Sequence, residues 1–220
     1  MLNIDPDSIL KSYKLQYPKK GMFIIMMRII TGKARGVRLE TLEGNDTRPT
    51  GEKVKEAIFS MIQFEIEGRR VLDIFSGSGQ LSLEALSRGA ESATMIESSK
   101  DAAAIIRRNV VKTKMLSCAK VIVSDHKTAL RGLEGQKFQL IFMDPPYAAK
   151  LVPDTVDRVL RHGLLSDGGI MVCESEDKEP YVRPGLTIRK HNKYGRSYVT
   201  VYEKNMTEIA KNNEGVDQNG

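Results

Sequence analysis

The sequence predicts an α/β fold: a doubly wound, mostly parallel sheet with an antiparallel C-terminal hairpin, preceded by a small hairpin-and-helix segment. Three observations predict it. Between residues 68 and 175 short apolar runs alternate with stretches of helical period, the pattern of parallel strands joined by crossover helices. Right-handed crossovers then cover the sheet on both faces. Several of the apolar runs end on an acidic residue (Asp73, Glu97, Asp125, Asp144), as strand tips do where a ligand meets the carboxyl edge of such a sheet. After residue 185, two apolar runs flank a turn with no helix between them, which is a hairpin.

The elements follow in order. Met1 to Gly21 mixes charges with Pro6 and Pro18 and holds no sustained period, so it reads as an extension with one or two helical turns around Ile9 to Tyr13. Met27 stands directly before Arg28-Ile29-Ile30, so a domain starting there is complete and residues 1–26 are expected to be dispensable. Arg28 to Thr31, a turn over Gly32 to Gly36, and Val37 to Leu42 make a strand pair. The loop Gly44 to Gly51 carries Arg48-Pro49-Thr50. Ala57, Ile58, Met61 and Ile62 then recur at helical spacing, which predicts a helix over Glu52 to Phe64 with Thr50 as its N-cap. Strands are expected at Val71 to Phe75, Ala93 to Glu97, Val121 to Ser124, Leu140 to Met143 and Ile170 to Glu174. Helices are expected at Leu81 to Ser87, Ala102 to Lys112 and Pro153 to His162. Leu186 to Arg189 and Tyr198 to Tyr202 flank a turn around Asn192 to Gly195. The chain thus divides into an extension (1–26), a hairpin-and-helix segment (27–66), the main α/β domain (67–204) and a polar tail (205–220).

Composition narrows the function classes. In 220 residues, 40% hydrophobic and 28% charged content excludes a disordered or fibrous chain. The two cysteines, Cys118 and Cys173, have no neighbour at metal-ligand spacing, so neither a disulfide scaffold nor a zinc ribbon is expected, and no other metal cluster stands out. The longest apolar run, Met22 to Met27, is far short of the ~20 residues of a membrane span. The first ten residues carry Asp5 and Asp7 and no basic residue, unlike a secretion signal. A cytoplasmic protein is expected. Its net charge of +6 favours a polyanionic partner.

Four motifs carry chemistry. Asp73-Ile74-Phe75-Ser76-Gly77-Ser78-Gly79 runs from a strand through a glycine turn into a helix, where glycine lets the backbone approach a ligand. A dinucleotide site wants a third glycine at the position of Ser82, and Asp73 sits awkwardly beside a pyrophosphate; a cationic ligand suits it better. Glu97, followed by Ser98, ends the second strand and is either a solvated strand-end carboxylate or an acceptor for both hydroxyls of a ribose. Asp125 is either an ordinary surface aspartate or an acceptor for the amine of an adenine, with His126 as a polar neighbour rather than a base or metal ligand. The fourth motif is Asp144-Pro145-Pro146-Tyr147. Consecutive prolines remove two backbone donors, which leaves the Pro145 carbonyl and the Asp144 carboxylate as convergent acceptors beside an aromatic ring. Such a corner is a receptor for a flat base bearing an amino group, with Tyr147 stacking on it.

This set resembles the class I S-adenosylmethionine-dependent methyltransferases of nucleobase amines. Within them, Arg28-Ile29-Ile30-x-Gly32-x-x-Arg35-Gly36, Arg48-Pro49-Thr50, Glu56-Ala57-x-Phe59, Asp73-x-Phe75-x-Gly77-Ser78-Gly79 and Glu84 to Ala90 are similar to the small-subunit ribosomal RNA guanine-N2 methyltransferase (RsmD) family. The likeness runs from about Met27 to Lys204 and departs at Gln80 and Ser82, where that family has alanine and glycine. It implies a Rossmann-like sheet, S-adenosylmethionine as cofactor, and methyl transfer to the N2 of a guanine in 16S ribosomal RNA, guanine 966 being the family target. Small-subunit particles or their assembly intermediates are the implied partners of a monomer. The cofactor would lie on Asp73, Phe75 to Gly79, Glu97, Ser98, Asp125, His126 and Asp144; the RNA on Arg28, Arg35, Arg48, Pro49, Thr50, Arg189, Lys190, Lys193 and Arg196. The hairpin cations equally suit a solvated edge. An adenine-N6 methyltransferase shares the receptor corner, although no target-recognition domain is visible. A non-catalytic RNA-binding assembly factor accounts for the charge but not for the acidic strand tips.

Overall fold

A computed structural model of the chain describes residues 26–41, 49–146 and 151–206. The extension before residue 26, Arg48, Tyr147 and the tail from residue 207 lie outside the described residues. The elements are β1 (Met26–Arg28), β2 (Arg38–Glu40), α1 (Pro49–Met61), β3 (Arg70–Asp73), α2 (Gln80–Ser87), β4 (Ser92–Glu97), α3 (Lys100–Lys112), β5 (Ala119–Val123), α4 (His126–Gly132), β6 (Phe138–Met143), α5 (Val152–Arg161), β7 (Leu165–Ser175), β8 (Leu186–Tyr194) and β9 (Ser197–Lys204).

β3 to β9 form one seven-stranded sheet in the order β5-β4-β3-β6-β7-β9-β8, and β1 pairs antiparallel with β2 apart from it. β5 through β7 run parallel, while β9 pairs antiparallel with both β7 and β8. This is a Rossmann-like α/β architecture. Successive strand residues feed opposite layers, as a two-sided buried sheet requires. Val71, Leu140, Phe142 and Val172 pack beneath α1, α2 and α3 with Ile58, Phe59, Leu83 and Ile106. Leu72, Ile141, Met143 and Met171 pack beneath α4 and α5 with Leu130, Val156 and Val159. Ile29 and Leu39 of the N-terminal segment enter the first of these layers, so residues 27–41 share the main core.

The segment is locked there by ions as well as apolar contacts. The fully buried Glu84 carboxylate accepts from the amides of Ile30 (2.7 Å) and Thr31 (3.0 Å) and from Arg88 Nε (2.8 Å). The hydroxyl of Ser87 donates to the Thr31 carbonyl and accepts from the Ala34 amide. Buried Lys55 donates to the Arg28 carbonyl at 2.8 Å. Gly32, at φ +86°, passes so close that a Cβ would stand 1.8 Å from the Ser87 carbonyl oxygen.

Several boundaries differ from expectation. The first strand ends at Arg28 rather than Thr31, because the amides of Ile30 and Thr31 turn to Glu84 instead of a strand partner. α1 begins at Pro49, whose missing N–H costs nothing in a first turn, so Thr50 lies inside the helix and is not its N-cap. The helix stops at Met61, which leaves Phe64 in a turn. β7 starts at Leu165, earlier than expected, with a register shift opposite Phe138 and Leu140 that Gly168 and Gly169 disguise in sequence. β8 runs on to Tyr194, so Asn192 and Lys193 belong to a strand rather than the turn. α4 was not expected at all.

Candidate active site

The strand order reverses between β3 and β6: from β3 the chain builds outward through β4 to β5, then returns to place β6 on the other side. A crevice at the carboxyl ends of two such strands is the usual ligand site of an open α/β sheet. Asp73 ends β3 and Asp144 follows β6, with Asp73 in register with Phe142 and the Ile74 amide donating to the Phe142 carbonyl at 3.1 Å. The two motifs, with Asp73 and Asp144 seventy-one residues apart in sequence, are therefore neighbours at this switch point.

Asp73 is buried, and its Oδ2 accepts from the hydroxyl of Ser82 at 2.9 Å. Burial pushes its pKa up to about 7, against the opposing hydrogen bonds of Ser82 and Ser76, and the neighbouring Glu97 pushes it the same way as burial. The turn after it is tightly organised. Ser76 donates through its hydroxyl to the Asp73 carbonyl and through its amide to the Ile96 carbonyl. Gly77, at φ +53°, donates its amide to Glu97 Oε2 at 2.9 Å, and space around its Cα is open. Gly79, at φ +78°, lies against Ile106 and Met95, where a Cβ would stand 3.2 Å from each. The Ser78 carbonyl accepts from Asn109 of α3 at 3.0 Å. Positive φ at Gly77 and tight packing at Gly79 are thus the physical reasons for the two glycines.

Glu97 reaches across the turn: besides Gly77 it accepts from the Ser99 amide at 2.7 Å, with the Ser98 hydroxyl at 3.5 Å. Asp125 caps α4, accepting from the Thr128 amide at 3.0 Å, and these bonds hold its carboxyl below the usual range. His126 opens α4 with its ring 5.0 Å from that of Phe75, and burial lowers its pKa. Its Nε2 is buried with no hydrogen-bond partner among the described residues. At the end of β6, Pro145 is buried, Pro146 exposed and Asp144 half-buried. All the expected cofactor residues therefore gather at the carboxyl ends of β3 to β6.

The expected RNA residues do not form one surface of free charge. Arg28 pairs loosely with Glu52 at 3.4 Å, and Arg35 and Arg196 are exposed. Arg189 pairs with Glu65 at 2.7 Å and Glu203 at 3.5 Å. Lys190 donates to the Met61 carbonyl at 3.3 Å, and Lys193 lies 5.6 Å from the Tyr198 ring. No described group of His, Cys, Asp and Glu is arranged to hold a metal, and no described helix is long and apolar enough to cross a membrane. The site contact that the sequence does not announce is Ser82, whose hydroxyl reaches Asp73. A serine three positions after the second glycine shows in the sequence only as the absence of a third glycine, and nothing there aims its hydroxyl at Asp73.

A family model described as "Conserved hypothetical protein 95" matches residues 27–203. YlbH of Bacillus subtilis is 34% identical over 183 residues, 81% of this chain and 99% of that protein. Ribosomal RNA small subunit methyltransferase D of Haemophilus influenzae is 33% identical over 180 residues, 80% of this chain and 93% of that protein. The solved structure of yhhF from Escherichia coli matches with a TM-score of 0.75 at 31% identity, covering 83% of this chain and all of that one. SMU.776, solved in complex with SAH, shares the fold at 14% identity with a TM-score of 0.65, over 86% of this chain and 57% of that one. With the family match spanning both the N-terminal lock and the switch-point site, the chain belongs to the conserved hypothetical protein 95 family, that of the RsmD ribosomal RNA methyltransferases.

Proposed function

We propose that this protein transfers a methyl group from S-adenosylmethionine to the exocyclic N2 amine of a guanine in 16S ribosomal RNA. One observation carries the reading: the Asp144-Pro145-Pro146 corner stands beside the Asp73 turn at the β3–β6 switch point, so an amine receptor adjoins a pocket suited to a cation. The pocket's chemistry fits the cofactor. Asp73 is a buried carboxylate with no basic partner among the described residues, Glu97 offers acceptor oxygens at the tip of β4, and Gly77 leaves open space between them. The H. influenzae relative's name supports ribosomal RNA as substrate.

When bound, S-adenosylmethionine supplies a methyl group already activated on a sulfonium. The chain's own residues supply position and polarity. Glu97 holds the ribose hydroxyls, Asp73 faces the cationic end, and Phe75 and His126 wall the adenine side. An aromatic amine is a poor nucleophile because its lone pair is delocalised into the ring. Accepting its two hydrogens on Asp144 and the Pro145 carbonyl localises that pair and aims it, and such orientation can lower the barrier by several kcal/mol, about 7–11 at the limit. Deprotonation before attack is unnecessary, since the alkylated amine is acidic. Mass spectrometry of nucleosides from 16S ribosomal RNA tests the assignment, comparing a strain lacking the gene with the same strain complemented. N2-methylguanosine should fall on deletion and return on complementation. An unchanged level, or loss of N6-methyladenosine instead, would overturn it.

A further inference from the structure

Phe64 lies in the turn after α1 and is 93% exposed. The other exposed large hydrophobics among the described residues (Leu116, Val123, Val182, Met206) are aliphatic, so this is the one ring of that group offered to solvent. Single exposed apolar residues are ordinary; the surroundings of this one are not. The turn is tied to β8 at several points. Glu65 pairs with Arg189, the Met61 carbonyl accepts from Lys190, and Met61 Sδ meets Asn192 at 3.6 Å and the Tyr194 hydroxyl at 3.9 Å. Glu65 also holds Arg69, whose guanidinium reaches the Gln139 carbonyl at the start of β6. The turn is thereby anchored at the amino ends of β3 and β6, away from Asp73 and Asp144 at their carboxyl ends. Arg69 and Arg189 share the Glu65 carboxylate, whereas Lys190 has no carboxylate partner among the described residues; Lys193 points to the other face of β8, over the Tyr198 ring.

A solvent-facing ring in a turn anchored to β8, with the Lys190 ammonium held on the Met61 carbonyl three residues away, combines the two contacts that single-stranded nucleic acid uses, base stacking and phosphate attraction. We propose that Phe64, with the neighbouring Lys190 of β8, is a stacking anchor for an unpaired nucleobase of the RNA substrate. The proposal rests on the RNA-methylating function above. Because the ring makes little contact with the rest of the fold, replacing it leaves stability intact, and a change in function reports on the partner.

The test uses the full chain, transcribed 16S ribosomal RNA and S-adenosylmethionine, with RNA affinity and methyl transfer measured side by side. Phe64→Ala and Phe64→Leu should each weaken RNA affinity and raise KM for RNA by about 5- to 100-fold, the range for one lost stacked base, with kcat within twofold. Phe64→Trp should match wild type. Unchanged affinity in Phe64→Ala, a wild-type-like Phe64→Leu, or unchanged affinity with loss of a dimer would each overturn the anchor, the last pointing to a second copy of the chain on this face. If wild type transferred no methyl group, the proposed function would fall, and the affinity comparison would still decide Phe64.

Discussion

Asp73 and Glu84 are buried carboxylates eleven residues apart, at the two ends of the stretch from the glycine turn through α2, and they are supplied very differently. Glu84 receives two backbone amides and the Arg88 guanidinium, with the Lys55 ammonium close enough to feel its charge. Asp73 receives neutral serine donors, and its charged neighbour Glu97 is of like sign. The lesson lies in the donors. A buried carboxylate whose charge is fully matched holds a fold together; one left short of a cation is poised to receive one.

Removing each carboxylate should therefore act on stability in opposite directions. Glu84→Ala strands Arg88 and two amides and should cost about 3–5 kcal/mol, as breaking a buried ion pair does. Asp73 has its folded pKa near 7, above the ordinary 3.8, so the folded state binds its proton more tightly and stability falls as pH rises between those values. Above pH 7 the penalty is complete, and Asp73→Asn should stabilise the ligand-free protein by roughly 2–4 kcal/mol while sharply weakening cofactor binding. Denaturant titrations at pH 8 check both; shifts of the same sign would break the contrast.

Glu97→Ala should weaken cofactor binding by about 1.5–3 kcal/mol, the range for hydrogen bonds to a charged group, which calorimetry reads directly. The charge shortage at Asp73 also predicts proton linkage. A cationic ligand favours the ionised carboxylate, so affinity should rise with pH up to about 7, by at most about tenfold per unit, and then level. At pH 6, binding should release most of one proton, seen by calorimetry in buffers of different ionisation enthalpy. Ser82→Ala, which removes a bond favouring the ionised form, should move the levelling point upward. Smallest of all, Lys190→Ala and Lys193→Ala should each flatten the slope of log RNA affinity against log salt by ~0.7, the value per single-strand phosphate contact.

The same contrast shows what a sequence discloses. Strand tips announce themselves, because Asp73, Glu97, Asp125 and Asp144 each close an apolar run, and the sheet follows from the alternation of period. The lock was visible only as family-like patterns: Arg28 to Gly36 and Glu84 to Ala90 are one interface, since the second supplies the carboxylate, hydroxyl and guanidinium that catch the first. Nothing in either pattern says that its partner lies more than fifty residues away. α4 is hidden in the sequence because its start doubles as a site motif. Asp125 suits an adenine amine or plain solvent, yet Asp125-x-x-Thr128 followed by buried Ala129, Leu130 and Leu133 is also a capped amphipathic turn. Likewise Arg189 and Lys190 read as free charge until the fold brought α1 beneath β8.

The central claim is that the corner after β6 holds the target amine while the turn after β3 holds the cofactor. Asp144→Ala separates the two most directly, with single-turnover transfer to small-subunit particles at saturating cofactor and RNA, and cofactor affinity measured alongside. Transfer should fall by at least about a hundredfold, as loss of a positioned group at the reacting centre does, with cofactor affinity changed only a few-fold. Tyr147→Phe should stay near wild type, because the ring survives, and Tyr147→Ala should fall toward Asp144→Ala. A folded Asp144→Ala protein that transfers at a near-normal rate would show that the corner is only a structural bend and that the amine is held elsewhere.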